Sequence, residues 1–223
     1  MELTADRKNN LIICNHPIAE HNLSLLRDKN TPSELFRNAT KRISQILFHL
    51  ASENLPLSPQ HIETPIEPIS SNFIDTEAEI IISPILRAGL IFSQTVSEIL
   101  PNARVHHIGL FRDEKTLKPV AYYNNLPGKF KNPDKTFVYI LDPMLATGGS
   151  AIAAIKLFTA LDIAEKNIRF ICFIAAPEGI KKLQGESPNI TIVSACVDKN
   201  LNSSGYIVPG LGDAGDRTFN TIY

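Results

Sequence analysis

Apolar residues recur along the chain in two spacings, one typical of helices and the other of buried strands. Between residues 35 and 50 they return every three or four positions, which places them on one face of a helix. Thr31, Pro32 and Glu34 precede this stretch and supply a capping hydroxyl, a first-turn proline and an acid that can reach back to the cap. The pattern predicts an amphipathic helix that begins near Pro32 and ends near Ser52.

Beyond residue 68, short apolar runs alternate with helical ones, whereas the proline-bearing stretch 56–68 shows no regular pattern. The strand-like runs cover 78–82, 105–110, 136–142, 168–175 and 190–197, and the helical runs cover 90–100 and 150–161. Because both faces of the strands are apolar, the alternation predicts an α/β fold in which helices flank a parallel sheet. Ligands of such sheets bind at the carboxyl ends of the strands.

Residues 111–135 form a long polar excursion between two of the predicted strands, with Tyr122, Tyr123, Pro127 and Gly128 near its centre. We expect a protruding β-hairpin here. A segment of this length in a compact domain serves as a lid, as a binding loop or as an arm that reaches a second subunit.

Length and composition favour one domain over residues 1–223. We expect residues 1–75 to pack on its core as a helical and extended segment. A chain of 223 residues with 43% hydrophobic content can bury one sizeable core. The net charge of -1 provides no broad positive field for nucleic acid or for a membrane surface. The three scattered cysteines and the lack of a secretory or membrane-spanning apolar run favour a reducing, cytoplasmic location.

Residues 142–150 have the sequence DPMLATGGS and lie between a predicted strand and a helical run. Their small side chains let the backbone wrap closely, so that several N–H groups and the helix N-terminus can bind one phosphate. Asp142, at the end of the strand, is placed to accept hydrogen bonds from ribose hydroxyls. The segment indicates a ribose 5-phosphate site, although a plain strand-to-helix turn can have the same composition. It is not a Walker A loop, because no lysine follows the glycines.

Two arginines follow other strand-like runs. Arg87, within the sequence PILRAG, can grip a pyrophosphate through its two-pronged guanidinium, and Gly89 permits a tight turn against it. The same residues also fit an arginine that is simply paired with a nearby acid. Arg112 begins the charged segment RDEKT, which by itself is typical of a solvated surface.

Residues 205–217 contain four glycines and one proline, in the sequence GYIVPGLGDAGDR. A loop of this composition exposes rigidly aimed backbone polar groups. Uracil presents an acceptor, a donor and an acceptor along one edge, and main-chain groups can match that edge while rejecting cytosine. A glycine-rich surface hairpin is the alternative, and Tyr206 either lines a pocket or belongs to the core.

Taken in order over nearly the whole chain, these motifs resemble those of the uracil phosphoribosyltransferases, within the type I phosphoribosyltransferase superfamily. The single acid in Asp142-Pro143 is similar to the uracil branch, whereas most other branches have two adjacent acids. One departure is Asn220, where the family commonly has glycine. Asparagine tolerates a positive φ better than most residues, so we expect the turn to persist.

The resemblance implies transfer of the phosphoribosyl group from phosphoribosyl pyrophosphate (PRPP) to N1 of uracil, giving UMP and pyrophosphate in pyrimidine salvage. It implies catalysis by Asp213, Arg87 and Arg112. The residues that it implies for PRPP binding are Arg87, Arg112, Asp142, Pro143, Met144, Leu145, Ala146, Thr147, Gly148, Gly149, Ser150 and Asp213. Those for uracil binding are Ile207, Gly212, Asp213 and Ala214, within a uracil-binding region at 198–223. It also implies Mg²⁺ held mainly by PRPP and water rather than by protein ligands. GTP binding and a homodimer or larger homo-oligomer are further expectations, and GTP activation differs among family members.

Two other functions fit parts of the sequence. A purine or orotate phosphoribosyltransferase would share the phosphate loop, but Asp142-Pro143 and the loop 205–217 disfavour it. A non-catalytic regulator that keeps the fold to sense PRPP, and that also binds RNA, is disfavoured by the near-neutral charge and by the complete set of ligand motifs.

Overall fold

The computed structural model describes residues 5–112 and 119–221, apart from the side chains of Asp6, Arg112 and Pro119. The strands are β1 (Ala5–Lys8), β2 (Leu11–Cys14), β3 (Leu57–Glu63), β4 (Pro68–Ile74), β5 (Glu79–Leu86), β6 (Arg104–Val105), β7 (Ile108–Arg112), β8 (Pro119–Asn124), β9 (Thr136–Leu141), β10 (Met144–Leu145), β11 (Ile168–Ala175), β12 (Thr191–Val197), β13 (Asn200–Leu201) and β14 (Ile207–Val208). The helices are α1 (Pro17–Arg27), α2 (Ser33–Ser52), α3 (Leu90–Ile99), α4 (Gly149–Thr159), α5 (Pro177–Glu186) and α6 (Ala214–Phe219).

The main sheet has the strand order β1-β2-β12-β11-β9-β5-β7-β8. Neighbouring strands from β2 to β7 run parallel, and β1 and β8 join the two edges antiparallel. The prediction of an α/β fold with a parallel sheet is therefore confirmed. The carboxyl ends of β5, β9, β11 and β12 lie side by side, so the loops that follow them share one edge of the sheet.

Helices cover both faces of the sheet, because successive residues of each strand point to opposite sides. On β9, Tyr139 packs edge-on against Phe48 of α2, with ring centroids 5.0 Å apart. Its neighbour Ile140 belongs to the core on the other face, together with Phe158 of α4. This burial of both faces explains why the strands are continuous apolar runs in the sequence. Among the helices in the described ranges, none combines the length and apolar content needed to cross a membrane.

Helix α2 begins near Pro32, as predicted, but its N-terminus is capped differently. Pro32 is the N-cap, in an extended conformation, and no side chain caps this end of the helix. The predicted capping hydroxyl of Thr31 is therefore wrong. The buried face of the helix includes Phe36, Ile43 and Leu47, whose side chains are at most 1% exposed.

The proline-bearing stretch 56–68 is regular, contrary to the sequence prediction. Strand β3 pairs antiparallel with β4 from Leu57↔Ile74 to Glu63↔Pro68 and forms a separate two-stranded sheet. An isolated hairpin tolerates prolines that a central strand would exclude. Its alternation of exposed and partly buried residues was obscured by those prolines.

The predicted hairpin arm at 111–135 is described only in part. Strand β7 pairs antiparallel with β8, with a register shift between Gly109 and Leu110. Residues 113–118, which connect the two strands, lie outside the described residues. The bounds of the arm at 111 and 135 remain predictions.

Candidate active site

The loop that follows β9 does not turn directly into the next helix. Met144 and Leu145 first pair with the end of β11 as strand β10, and the chain then turns at Gly148 into α4. Gly148 has φ 77°, a left-handed conformation that glycine adopts without strain. This detour distinguishes the segment from a plain strand-to-helix turn.

Asp142 and residues 144–151 line a cleft of about 140 Å³ at the start of α4. The predicted PRPP-binding residues that are partly exposed are Asp142, Met144, Ala146, Thr147, Gly149 and Ser150, and those that are buried are Pro143, Leu145 and Gly148. The N-terminal end of α4 carries a partial positive charge that favours an anion. We call residues 142–150 the phosphate loop.

Gly179 of α5 supports the phosphate loop from behind. A methyl group at this position would lie 2.3 Å from the carbonyl oxygen of Ala146 and 3.0 Å from that of Leu145. Nothing in the sequence marks Gly179, since a close approach between distant segments leaves no local signal.

Replacing Gly179 by alanine should displace the phosphate loop and raise the KM for PRPP about 10-fold, because small misplacements of binding groups are costly. Gly185→Ala is the matched control, since it lies on the same helix and a methyl group there meets nothing within 4 Å. Steady-state kinetics of both variants check the prediction. Equal KM values for PRPP in the two variants would contradict it.

Asp142 follows β9, and its backbone N–H donates to the carbonyl of Ile171 on β11 (3.2 Å). Burial raises the pKa of its carboxyl to about 7, and a backbone hydrogen bond from Met144 acts in the opposite direction. At neutral pH the group is therefore partly protonated. In the ionised form it accepts hydrogen bonds, as ribose hydroxyls require.

The raised pKa of Asp142 predicts a pH-dependent cost to folding. The folded carboxyl, with a pKa of about 7, binds its proton more tightly than the unfolded one at 3.8. Stability is therefore lost as pH rises from the lower value to the upper one, and the loss is complete above both. Asp142→Asn should therefore raise the free energy of unfolding by about 1–3 kcal/mol at pH 8 and change it little at pH 4. Urea unfolding at the two pH values measures the difference. A stability difference that does not change with pH would contradict the assignment.

Arg87 lies in the loop that follows β5, directly beside the phosphate loop. The loop turns so tightly that a methyl group on Gly89 would lie 2.5 Å from the carbonyl oxygen of Leu141, the residue before Asp142. The guanidinium of Arg87 is 3.3 Å from Oδ1 of Asp216, and the two side chains are 60% and 37% exposed. The alternative of a paired arginine is thus seen in the structure. A single exposed contact of this length contributes little to stability, so it leaves the side chain free to bind a ligand.

Arg112 ends strand β7, which lies next to β5 in the sheet. Its backbone is thus at the same edge as the Arg87 loop. Its side chain lies outside the described residues, so its predicted contact with PRPP stays a prediction.

The glycine-rich segment folds back over the Arg87 loop. A methyl group on Gly215 would lie 3.9 Å from Cβ of Ala88, and Asp216 contacts Arg87 as described. Ile207 and Ala214 have buried side chains, 7% and 1% exposed. Gly212 has φ 78° and is exposed. We call residues 207–214 the base loop.

Asp213 caps the N-terminus of α6. Its Oδ1 accepts a hydrogen bond from the backbone N–H of Asp216 (2.9 Å), and the residue is exposed. Tyr206 is 51% exposed, so the alternative that it belongs to the core is wrong.

The family is decided by comparison with known proteins. The family model described as uracil phosphoribosyltransferase matches residues 13–221 of this chain. The chain belongs to the uracil phosphoribosyltransferase family.

Similar proteins of the uracil phosphoribosyltransferase family cover almost the whole chain. The uracil phosphoribosyltransferase of Dictyoglomus thermophilum is 46% identical over 211 residues, which are 95% of this chain and 99% of that protein. That of Lactococcus lactis subsp. cremoris is 44% identical over 209 residues, 94% of this chain and 97% of that protein. The resemblance stated from the motifs is confirmed.

Solved structures agree with the fold. The AQ2163 protein from Aquifex aeolicus superposes with a TM-score of 0.87 at 35% identity, covering 96% of this chain and 100% of that one. The adenine phosphoribosyltransferase of Trypanosoma brucei has a TM-score of 0.59 at 11% identity, covering 92% of this chain and 91% of that one. The second likeness shows the fold alone.

Asn220 replaces the glycine expected from the family resemblance, and the turn at this position is kept. It adopts φ 57° and ψ 42° at the C-terminus of α6, as expected from the tolerance of asparagine for this conformation. Its Oδ1 accepts a hydrogen bond from Oγ of Ser33 (3.2 Å). The substitution is therefore compatible with the observed backbone.

Three charged residues near the base loop were missed by the sequence analysis. They are Arg27, Asp198 and Arg217. Arg27 donates hydrogen bonds to Asp198 and to the carbonyl of Gly210, and Arg217 donates to the carbonyl of Leu211. Each looks like an ordinary surface residue in the sequence, because its partners are distant in the chain.

Proposed function

We infer that this chain transfers the 5-phosphoribosyl group of PRPP to N1 of uracil, giving UMP and pyrophosphate, the salvage reaction of its family. The observation that carries this inference is the meeting of three loops at one edge of the sheet. Gly89 of the Arg87 loop approaches the carbonyl of Leu141, the residue before the phosphate loop, and the Arg87 loop contacts the C-terminal segment at Gly215 and Asp216. Two substrates bound to such neighbouring loops would be held close together.

PRPP is proposed to bind with its 5-phosphate in the phosphate loop. Backbone N–H groups and the hydroxyls of Thr147 and Ser150 would donate to the phosphate, and the N-terminus of α4 would add its positive end. The carboxylate of Asp142 would accept from the ribose hydroxyls. Arg87, from the adjacent loop, and Arg112, from the end of β7, would bind the pyrophosphate.

Uracil is proposed to bind through the backbone of the base loop. The side chains of Ile207 and Ala214 are buried, which anchors the loop and leaves recognition to its peptide groups. Gly212, in its left-handed conformation, places no side chain between the loop and a flat base. Cytosine would bring an amino donor to a backbone donor and would be rejected.

The reaction forms a bond between N1 of uracil and C1 of the ribose and breaks the bond from C1 to the pyrophosphate oxygen. The N1 proton is released to water as the new bond forms, and the bonding electrons depart with pyrophosphate. Arg87 and Arg112 would stabilise the negative charge gained by the leaving group. The carboxylate of Asp213 would stabilise the positive charge that develops on the sugar.

Mg²⁺ is proposed to enter with PRPP, coordinated mainly by substrate oxygens and water. The acids near the site, Asp142 and Asp213, offer hard oxygen ligands of the kind that Mg²⁺ prefers. In the part of the chain that the structure describes, no group of three metal-ligating side chains forms a cage. When bound, the ion would supply positive charge to the pyrophosphate.

A homo-oligomer is proposed, on a surface that the sequence analysis did not single out. The β3–β4 hairpin exposes Leu57, Ile66, Ile69 and Phe73, which are between 41% and 91% accessible. Ile69 and Phe73 share one face of this separate two-stranded sheet, and exposed apolar side chains on one face favour contact with another subunit. We also propose a cytoplasmic location, which suits the free thiols of Cys14, Cys172 and Cys196. GTP binding stays a prediction.

The direct test is incubation of the purified protein with PRPP, Mg²⁺ and uracil, followed by chromatographic detection of UMP. Hypoxanthine and orotate serve as competing bases. UMP from uracil, with no product from the other two, is the expected result. Binding of PRPP without any UMP would overturn the proposed function and would favour a sensor of PRPP.

A further inference from the structure

The backbone of Gly210, in the middle of the base loop, is bonded to side chains rather than to other backbone groups. Its N–H donates to Oδ2 of Asp198 (2.9 Å), and its carbonyl accepts from Nη1 of Arg27 (2.8 Å). Gly210 has φ 68°, and a methyl group there would lie 2.2 Å from the carbonyl oxygen of Ile207. The conformation of this turn therefore depends on the two side chains that hold it.

Arg27 and Asp198 form a two-pronged ion pair with each other. Nη1 of Arg27 is 2.9 Å from Oδ2 of Asp198, and Nη2 is 2.5 Å from Oδ1. The carboxylate is 3% exposed and the arginine side chain 24%. Burial alone would raise the pKa of Asp198, but the hydrogen bonds from Arg27 and from the Gly210 amide outweigh it and lower that pKa. Both groups are therefore charged at neutral pH.

A second arginine, Arg217, joins the base loop at Leu211 to the same segment of the chain. Arg217 donates to the carbonyls of Leu211 (2.8 Å) and Asp28 (2.6 Å), and also to that of Leu26. Its guanidinium lies over the ring of Phe36, 4.4 Å from the centroid. The loop is thus tied to the end of α1 through two arginines, which bind the adjacent carbonyls of Gly210 and Leu211.

We propose that Arg27 and Asp198 are positioning residues for uracil. They hold the Gly210 turn so that the backbone donors and acceptors on either side of it stay at the spacing that matches the edge of the base. Recognition by backbone groups has this requirement, because a peptide group cannot adjust by changing rotamer. A misplacement of about 1 Å in such groups is enough to impair a reaction strongly. The proposal rests on the proposed function, since it concerns the same site.

The test compares the KM for uracil with the KM for PRPP. Arg27→Gln should raise the KM for uracil about 10-fold and leave that for PRPP within about 2-fold, because the phosphate loop is held by other contacts. Asp198→Asn should act in the same direction. If the pair acts as one unit, the double variant should be no worse than the poorer single variant.

Arg104→Gln is the matched control, because Arg104 forms an exposed pair with Glu79 (2.5 Å) away from the base loop. Neither KM should change in this control. Arg27→Lys is the second variant if Arg27→Gln does not fold, since lysine keeps the charge but loses the fork. Equal changes in both KM values, or none, in a folded Arg27 variant would overturn the proposal while UMP formation by the unaltered protein stands. Lack of UMP from the unaltered protein would instead overturn the proposed function.

Discussion

Replacement of Arg87 by alanine is expected to lower kcat by about 10²–10³-fold, the loss seen when one stabiliser of a developing negative charge is removed. The pyrophosphate gains charge as its bond to C1 breaks, so in its proposed role the guanidinium would act mainly on the transition state. The fold should be unaffected, because the Arg87 side chain is 60% exposed and, among the described residues, bonds one partner, Asp216, at 3.3 Å. Steady-state rates at saturating uracil and PRPP, with a thermal unfolding curve, check both parts.

Asp216→Asn is the control that separates the two interpretations of Arg87. Asparagine keeps an oxygen for Oγ1 of Thr221, which bonds Oδ1 of Asp216 at 2.7 Å, but it removes the charge that pairs with Arg87. If the arginine served only as a partner of Asp216, the two variants would lose activity equally. We expect Asp216→Asn to lose far less.

Replacement of Asp213 by asparagine is expected to lower kcat on the order of 10²-fold, because it removes the negative charge that we propose stabilises the sugar as it becomes positive. Stability should change little. The Oδ1 of Asp213 caps α6 through the N–H of Asp216 (2.9 Å), and asparagine is an equally good capping residue. Kinetics at saturating substrates, together with thermal unfolding, would detect the difference.

Asp213→Ala is the companion variant, since it removes both the charge and the cap. It should lose activity as Asp213→Asn does and also lose about 1 kcal/mol of stability. Turnover near that of the unaltered protein in Asp213→Asn would show that the carboxylate has only a structural role.

The sheet and the meeting of the three loops at its edge could be predicted because both leave local signals. Strands such as β9 and β11 are buried on both faces, so they are unbroken apolar runs in the sequence. The phosphate loop and the base loop are marked by small residues and glycines, which are required where a backbone turns sharply or approaches a ligand. In a parallel sheet, motifs that follow strands must meet at one edge.

The supports of the site could not be predicted, because they join distant parts of the chain. Arg27 and Asp198 are 171 residues apart, and nothing near either one indicates the other. Gly179 is needed for its approach to Ala146, which only the packing of α5 reveals. The β3–β4 hairpin was missed for a different reason, since its prolines argue against a strand unless the strand lies outside the main sheet.

A crystal structure of the protein with UMP bound tests most directly whether one site holds both halves of the product. We predict that the pyrimidine edge lies within hydrogen-bonding distance of backbone atoms of Ile207, Gly212 and Ala214. The ribose hydroxyls should contact Asp142, and the 5′-phosphate should lie in the phosphate loop. A base loop without the pyrimidine, or a phosphate bound elsewhere, would contradict the account.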